Sequence, residues 1–188
     1  MVVTAGSPGS LQRLIRVLKA GGVAIAPGDT MYGLIGAAPA TGERIRSIKG
    51  RGEDKPFLLL LADPSWLSRF SDIHLPAQIA RHWPGPLTIV VPDRLGGTVA
   101  VRVPDSMFLL DLLVAVNKPL YSTSVNRAGF PPFATVAQMR QEFEVDVDLI
   151  VDAGDQSPGA PSTLLDLTTR PFRVLRQGAL SFSPEDLS

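Results

Sequence analysis

Between Pro119 and Gly129 the chain reads PLYSTSVNRAG, which places Ser122, Thr123, Ser124 and Asn126 within five positions after a short apolar run. This is the densest set of neutral hydrogen-bonding side chains in the sequence. At the end of a strand in an open α/β sheet, such groups and the free backbone N–H groups beside them converge on a ligand. The same residues also fit an Asx- or Ser-turn that satisfies its own backbone. Further hydroxyls and cations fall at the ends of other apolar segments: Thr30, Lys49, Arg51, Lys55, Arg102, Ser162 and Arg176. Lys49, Arg51 and Lys55 can be solvated loop charges. Arg102 alternates with Val99, Val101 and Val103, so it either faces solvent on a half-exposed strand or points into a pocket that needs an anion.

Other chemistries lack their residues. There is no G-x-x-x-x-G-K-[ST] phosphate loop, no G-x-G-x-x-G after a strand and no G-x-S-x-G nucleophile elbow. His74 and His82 are the only histidines, and neither has a metal-ligand companion at helical spacing, so both read as structural. The absence of cysteine excludes disulfides, thiolate catalysis and cysteine-ligated zinc, and fits a cytosolic setting. Eighteen basic residues balance eighteen acidic ones, so no overall field draws the chain onto nucleic acid. The balance is uneven from Arg44 to Lys55, where the cations leave room for a local anion site beside the reading as solvated charges. No apolar run approaches the roughly 20 residues of a membrane span, and the first residues lack the pattern of a secretory signal.

The elements that must position these groups alternate along the chain. Ser10 reads as the cap of a helix carrying Leu11, Leu14, Ile15 and Leu18, ended by Gly21–Gly22. A buried strand over Val23–Ala26 delivers the chain to a polar loop from Pro27 to Leu34. Thr41 reads as the cap of a second helix, and apolar strands follow at Phe57–Ala62, Leu87–Val91 and Val99–Val103, with short helical segments between Asp63 and Trp83. Asp105–Val116 reads as a helix, Thr135–Phe143 as another, and Val147–Val151, Ser162–Leu167 and Phe172–Leu175 as closing strands. Asp152–Pro161 is a Gly-, Pro- and acid-rich loop. The pattern is one α/β domain over 1–188, with no internal repeat or linker.

Seven short elements, in order, give the chain a resemblance to the YrdC-type threonylcarbamoyl-AMP synthases from about Leu11 to Gly178. The family's P-T-E-T-x-Y-G-L stands here as Pro27-Gly28-Asp29-Thr30-Met31-Tyr32-Gly33-Leu34, and K-x-R as Lys49-Gly50-Arg51, with Lys55-Pro56 following. W-P-G-P-x-T is Trp83 to Thr88, V-A-V-R-x-P is Val99 to Pro104, and S-x-S-A-N is Ser122 to Asn126. S-T-x-x-D is Ser162 to Asp166, and R-x-G is Arg176 to Gly178.

The resemblance implies a twisted, open mixed sheet with helices packed around it and a concave ligand cleft. It implies that ATP, L-threonine and bicarbonate give threonylcarbamoyl-AMP and pyrophosphate, with no protein nucleophile. Such chemistry needs cations around a triphosphate, hydroxyls and an arginine around an amino acid, and a site closed to water. Carried over by position, Arg51, Lys55, Thr98, Asn126 and Arg176 contact ATP, and Lys49 neutralises phosphate charge. Lys49 and Arg51 are the catalytic pair. Thr30, Arg102, Ser124 and Ser162 hold threonine, while Tyr32 and Ser122 wall the pocket. Magnesium is expected to arrive on ATP without dedicated protein ligands. The implied product feeds N6-threonylcarbamoyladenosine formation in tRNA, making tRNA and a separate transferase complex the expected partners, in the cytoplasm and away from membranes. A minimal form without an additional C-terminal domain is expected.

This sequence departs from the family at Gly28 and Asp29, where Thr and Glu are usual, at Gly52, Lys55 and Leu60, and at Val125 in place of alanine. A YciO-like paralogue and a non-catalytic RNA- or tRNA-binding protein of the same fold are the alternatives. Retention of Lys49, Arg51 and Asn126 speaks against the paralogue.

Overall fold

The structure is a computed structural model that describes residues 1–50, 52, 57–156 and 159–187. Arg51 and Lys55 therefore lie outside the described residues. Among the described residues ten strands form one sheet: β1 (Val2–Thr4), β2 (Val23–Ala26), β3 (Gly33–Ala37), β4 (Leu58–Leu60), β5 (Leu87–Pro92), β6 (Thr98–Arg102), β7 (Leu120–Ser124), β8 (Leu149–Asp152), β9 (Thr163–Asp166) and β10 (Arg173–Arg176). Their spatial order is β1-β8-β2-β3-β7-β4-β6-β5-β9-β10. Pairing is parallel for β1 with β8, β8 with β2, β4 with β6 and β5 with β9. It is antiparallel elsewhere, so the sheet is mixed, as the resemblance implies.

The strand containing Ser122 and Ser124, β7, joins the two halves of the sheet by pairing β3 on one side and β4 on the other. On one face, α1 (Ser10–Lys19) and α4 (Met107–Val116) pack Leu14, Leu18, Leu112 and Leu113 against Ala24, Ala26, Ala37 and Leu120. On the other, α2 (Gly42–Lys49) and α5 (Val136–Phe143) cover β2 and β8 through Ile45, Ile48, Met139 and Phe143. A 3-10 turn at Pro64–Arg69 and the short α3 (Ala77–Ala80) cover β5, β6 and β9 through Leu67 and Ile79. Alternation along each strand thus feeds two separate apolar layers.

Three of the helical elements start where their polar residues direct. Asp63 Oδ1 accepts from Ser65 N at 2.8 Å, Ser106 Oγ from Leu109 N at 3.4 Å and Thr135 Oγ1 from Gln138 N at 3.3 Å. Ser10 is not a cap. Gly9, with φ of 78°, precedes the helix, and Ser10 is its first, buried residue. Thr41 holds the cap position of α2, but its hydroxyl donates back to Ala37 O at 3.1 Å instead of capping the first turn. Two strands were not legible. β1 pairs with β8, and β3 begins inside the segment read as a polar loop. In β3, Gly33 and Gly36 depress strand propensity, yet both are crowded. A Cβ on Gly36 would collide with the Thr41 side chain, and one on Gly33 would sit 3.2 Å from Ser122 Oγ.

The cationic run from Arg44 is dispersed by its helix. Arg44 Nη1 donates to Asp148 at 2.6 Å, the Arg46 guanidinium lies 4.9 Å from the Phe57 ring centre, and Lys49 turns inward. Its described members do not form one anion patch.

The turn after β10 is fixed against the start of β9. A Cβ on Gly178 would overlap Pro161 O and the Ser162–Thr163 peptide. Thr163 Oγ1 accepts from Gly178 N at 3.1 Å and Leu180 N at 2.9 Å. Gly178→Ala therefore forces this backbone apart, and it should lower unfolding stability by on the order of 2 kcal/mol. The check is a lower urea midpoint at an unchanged denaturant slope.

Candidate functional site

On the same sheet face as α1 and α4, beyond the area that those helices cover, strand register lines up side chains from both halves of the sheet. Ile35, Ser122, Leu58 and Ala100 form one cross-strand row, and Leu120, Leu60 and Arg102 form the next. Beyond them, Leu164 stands opposite both Thr88 and Arg176. These rows floor a cavity of about 310 Å³, walled on one side by residues 26–33 and on the other by Pro161, Ser162 and Arg176. Its volume lies at the small end of ligand pockets.

Arg102 settles the two readings of its strand, because it points into the cavity and is only 4% exposed. Its Nε donates to Gly85 O at 3.0 Å, and its Nη2 pairs with Asp29 Oδ2, which also accepts from Asp105 N at 3.0 Å. The remaining terminal nitrogen, Nη1, has no hydrogen-bond partner among the described residues. Burial pushes the guanidinium below its ordinary pKa, Asp29 opposes that shift, and nearby Arg176 adds to it. A buried cation with an unfilled donor is suited to an anionic ligand. The W-P-G-P element explains the geometry: Trp83 Nε1 donates to Leu87 O at 2.7 Å, and Gly85 N to Val103 O at 3.0 Å, which clamps the carbonyl that holds Arg102.

Ser162 and Arg176 meet at the other wall. Arg176 donates through Nε and Nη2 to Ser162 O, at 3.2 and 2.9 Å, and through Nη2 to Ser162 Oγ at 3.2 Å. The Ser162 hydroxyl is 2.8 Å from Thr88 Oγ1, so Thr88 joins the site. Its only sequence signal is its place in the W-P-G-P-x-T element.

Thr30 lies in the cavity lining, and its carbonyl accepts from Gly159 N at 3.1 Å. Tyr32 is buried in the wall. Its hydroxyl donates to Gly154 O at 2.9 Å and accepts from Ala153 N at 2.7 Å, fastening the segment after β8 to the first loop. Burial raises its phenol above the ordinary pKa, the Ala153 bond counters this, and Asp152 and Asp155 add to it.

Lys49 and Asn126 are close together but are not part of the cavity lining. The Lys49 ammonium, only 3% exposed, donates to Ser124 O at 2.6 Å, Asn126 O at 2.9 Å and Asn126 Oδ1 at 2.8 Å. Ser124 Oγ donates to the same Asn126 Oδ1 at 2.6 Å, and Ser124 itself reaches the cavity. The pair thus sets the exit of β7. Arg127 holds that loop from behind through Glu142, Ile48 O and Asp146, the last at 2.9 Å; its only sequence signal was adjacency to Asn126. Thr98 is exposed at the start of β6, on the side of the strand shared by Ala100 and Arg102, and does not line the cavity. Ser122 lines it.

The class defined by these features is an α/β domain with a cation at the floor of a hydroxyl-lined cavity on one sheet face. The chain belongs to the Sua5/YciO/YrdC family, whose model, described as telomere recombination, matches residues 16–178. Among curated relatives, a threonylcarbamoyl-AMP synthase of Pyrococcus abyssi is 33% identical over 179 residues, 87% of this chain but 52% of the relative. The chain therefore spans about half the length of that protein. A threonylcarbamoyl-AMP synthase of Vibrio vulnificus is 32% identical over 90% of this chain and 98% of its own length. Among solved structures, P. abyssi Sua5 complexed with L-threonine superposes with a TM-score of 0.86 at 27% identity, covering 96% of this chain and 58% of that one. E. coli YciO gives 0.83 at 26% identity, covering 98% and 97%.

Lys49→Met keeps the length of the side chain but removes the donor to three oxygens at the end of β7. It should cost on the order of 2–3 kcal/mol of stability. A thermal melt lowered by several degrees, with faster amide exchange at residues 124–128, would bear this out.

Proposed function

We propose that this chain is a threonylcarbamoyl-AMP synthase, converting ATP, L-threonine and bicarbonate into L-threonylcarbamoyladenylate and pyrophosphate for tRNA N6-threonylcarbamoyladenosine formation. The observation that carries the reading is the buried Arg102, with an unfilled donor, in a cavity that also presents Thr30, Ser124 and Ser162. That set suits a small hydroxylated carboxylate. The similarity to a protein solved with L-threonine, and the names of relatives covering most of the chain, support the same substrate.

In this reading Arg102 takes the threonine carboxylate, and Thr30, Ser124 and Ser162 fix its remaining polar groups. The amine combines with bicarbonate to give a carbamate and water, and a carbamate oxygen attacks the α-phosphorus of ATP as pyrophosphate leaves. Arg176, in the cavity wall, is assigned to the nucleotide, and the resemblance gives Arg51, Lys55, Thr98 and Asn126 the same role. Lys49 and Arg51 balance the charge that moves onto the leaving phosphates. Lys49 does so from behind β7, through the loop it holds. The protein's task is alignment and exclusion of water, since both carbamate and mixed anhydride hydrolyse.

Magnesium neutralises the triphosphate when ATP binds. Among the described residues there is no cluster of three or more acidic, histidine or cysteine side chains placed to hold a metal ion, and Asp29 is already engaged by Arg102. In this reading magnesium would arrive on ATP and be held by phosphate oxygens and water. In this reading the unstable product is handed, in the cytoplasm, to a separate transferase complex acting on tRNA. No helix among the described residues is long and apolar enough to cross a membrane. The likeness to YciO along nearly its full length favours one competing reading, a paralogue with a different substrate.

Pyrophosphate release separates the two. It should require ATP, L-threonine and bicarbonate together; release indifferent to threonine and bicarbonate would overturn the synthase reading. Arg102→Ala should raise the KM for threonine about tenfold or more while leaving that for ATP nearly unchanged. Unaltered threonine dependence would remove Arg102 from the amino-acid site.

A further inference from the structure

Asp29 has no role in the reaction as assigned above, yet it lies in the same cavity and is the only carboxylate among its described lining residues. Its side chain is 11% exposed, beside an arginine side chain that is 5% exposed. Both of its hydrogen bonds, from Arg102 Nη2 and Asp105 N, fall on Oδ2. Oδ1 accepts none among the described residues. The pair therefore carries two complementary vacancies, an unfilled donor on Arg102 and an unfilled acceptor on Asp29. Buried groups of this kind are costly to leave without partners.

A ligand filling both vacancies carries an anion and a cation on neighbouring atoms. An α-amino acid in its zwitterionic form has that arrangement, and it adds no net charge to a pair that is already neutral. We propose that Asp29 Oδ1 receives the α-ammonium of the amino-acid substrate while Arg102 receives its carboxylate, so that the site selects amino acids over hydroxy acids of the same shape. This rests on the synthase reading and adds to it a residue that determines specificity. A purely structural role, in which Asp29 only orients Arg102, predicts something different. Every carboxylate ligand would then respond to its loss by the same factor.

The test is equilibrium binding to the full chain, without ATP or bicarbonate, of L-threonine and of (2S,3R)-2,3-dihydroxybutanoate, which replaces the amine by a hydroxyl. The wild-type protein should bind threonine about tenfold or more tightly than the analogue, and Asp29→Asn should bring the two within about threefold. A preference that survives the substitution overturns the proposal, whatever happens to the absolute affinities. If Asp29→Asn does not fold, the wild-type comparison still decides: equal affinities overturn the proposal. A threonine affinity that falls on raising the pH through titration of its amino group, while that of the analogue stays constant, supports it. Failure of the wild-type protein to bind threonine at all is a separate outcome, which removes the synthase reading and this inference together.

Discussion

A guanidinium taken out of water must be matched by acceptors, and the matching of Arg102 organises much of the cavity. Three separate stretches contribute. β6 carries the residue, the turn through Gly85 presents a carbonyl to Nε, and the first loop brings Asp29 to Nη2. Asp29 is held in turn by Asp105 N, at the approach to α4. Moving any one of these would leave charge unbalanced in an apolar setting, where Leu60 is the register neighbour and Leu109 lines the same cavity. The chain segments at 27–33, 83–88 and 102–106 are thus tied to one another by electrostatics, although no strand pairing links all three.

The motif residues divide into two kinds. Thr30, Arg102, Ser124 and Ser162 present groups to the cavity. Trp83, Thr163, Asp166 and Gly178 hold the backbone that places them: Asp166 Oδ1, for example, accepts from Thr168 N at 2.9 Å and Thr168 Oγ1 at 2.7 Å and so closes the turn after β9. Lys49, Asn126 and Arg127 form an intermediate group, acting on the cavity through the end of β7. A small polar site on a sheet face needs this second set, because hydroxyls on strands are only as well placed as the strand ends.

Much of this was legible in the sequence, for identifiable reasons. β2, β5 and β6 are dense in Val, Ile and Leu, and α4 and α5 begin at capping residues, so periodicity and chemistry agreed. β3 was hidden because its Gly33 and Gly36 were selected by crowding against Ser122 and Thr41, and local propensity carries no information about those neighbours. β1 is three residues long and takes its order from β8, nearly the whole chain away. In the site, the alternation around Arg102 posed the right question, but only the fold could say which side faced the cavity. Asp29, Thr88 and Arg127 became visible through partners distant in sequence.

The position of β9 and β10 at one end of the sheet carries a consequence for biosynthesis. These strands and the residue before β9 bring Ser162 and Arg176, the wall opposite the first loop, and they are translated after the other eight described strands. A nascent chain that has not yet released them can form the Arg102 floor but has only an open trough above it. The ability to retain a ligand is thus acquired only once β9 and β10 have been added. Polypeptides that stall before β9 would lack that wall.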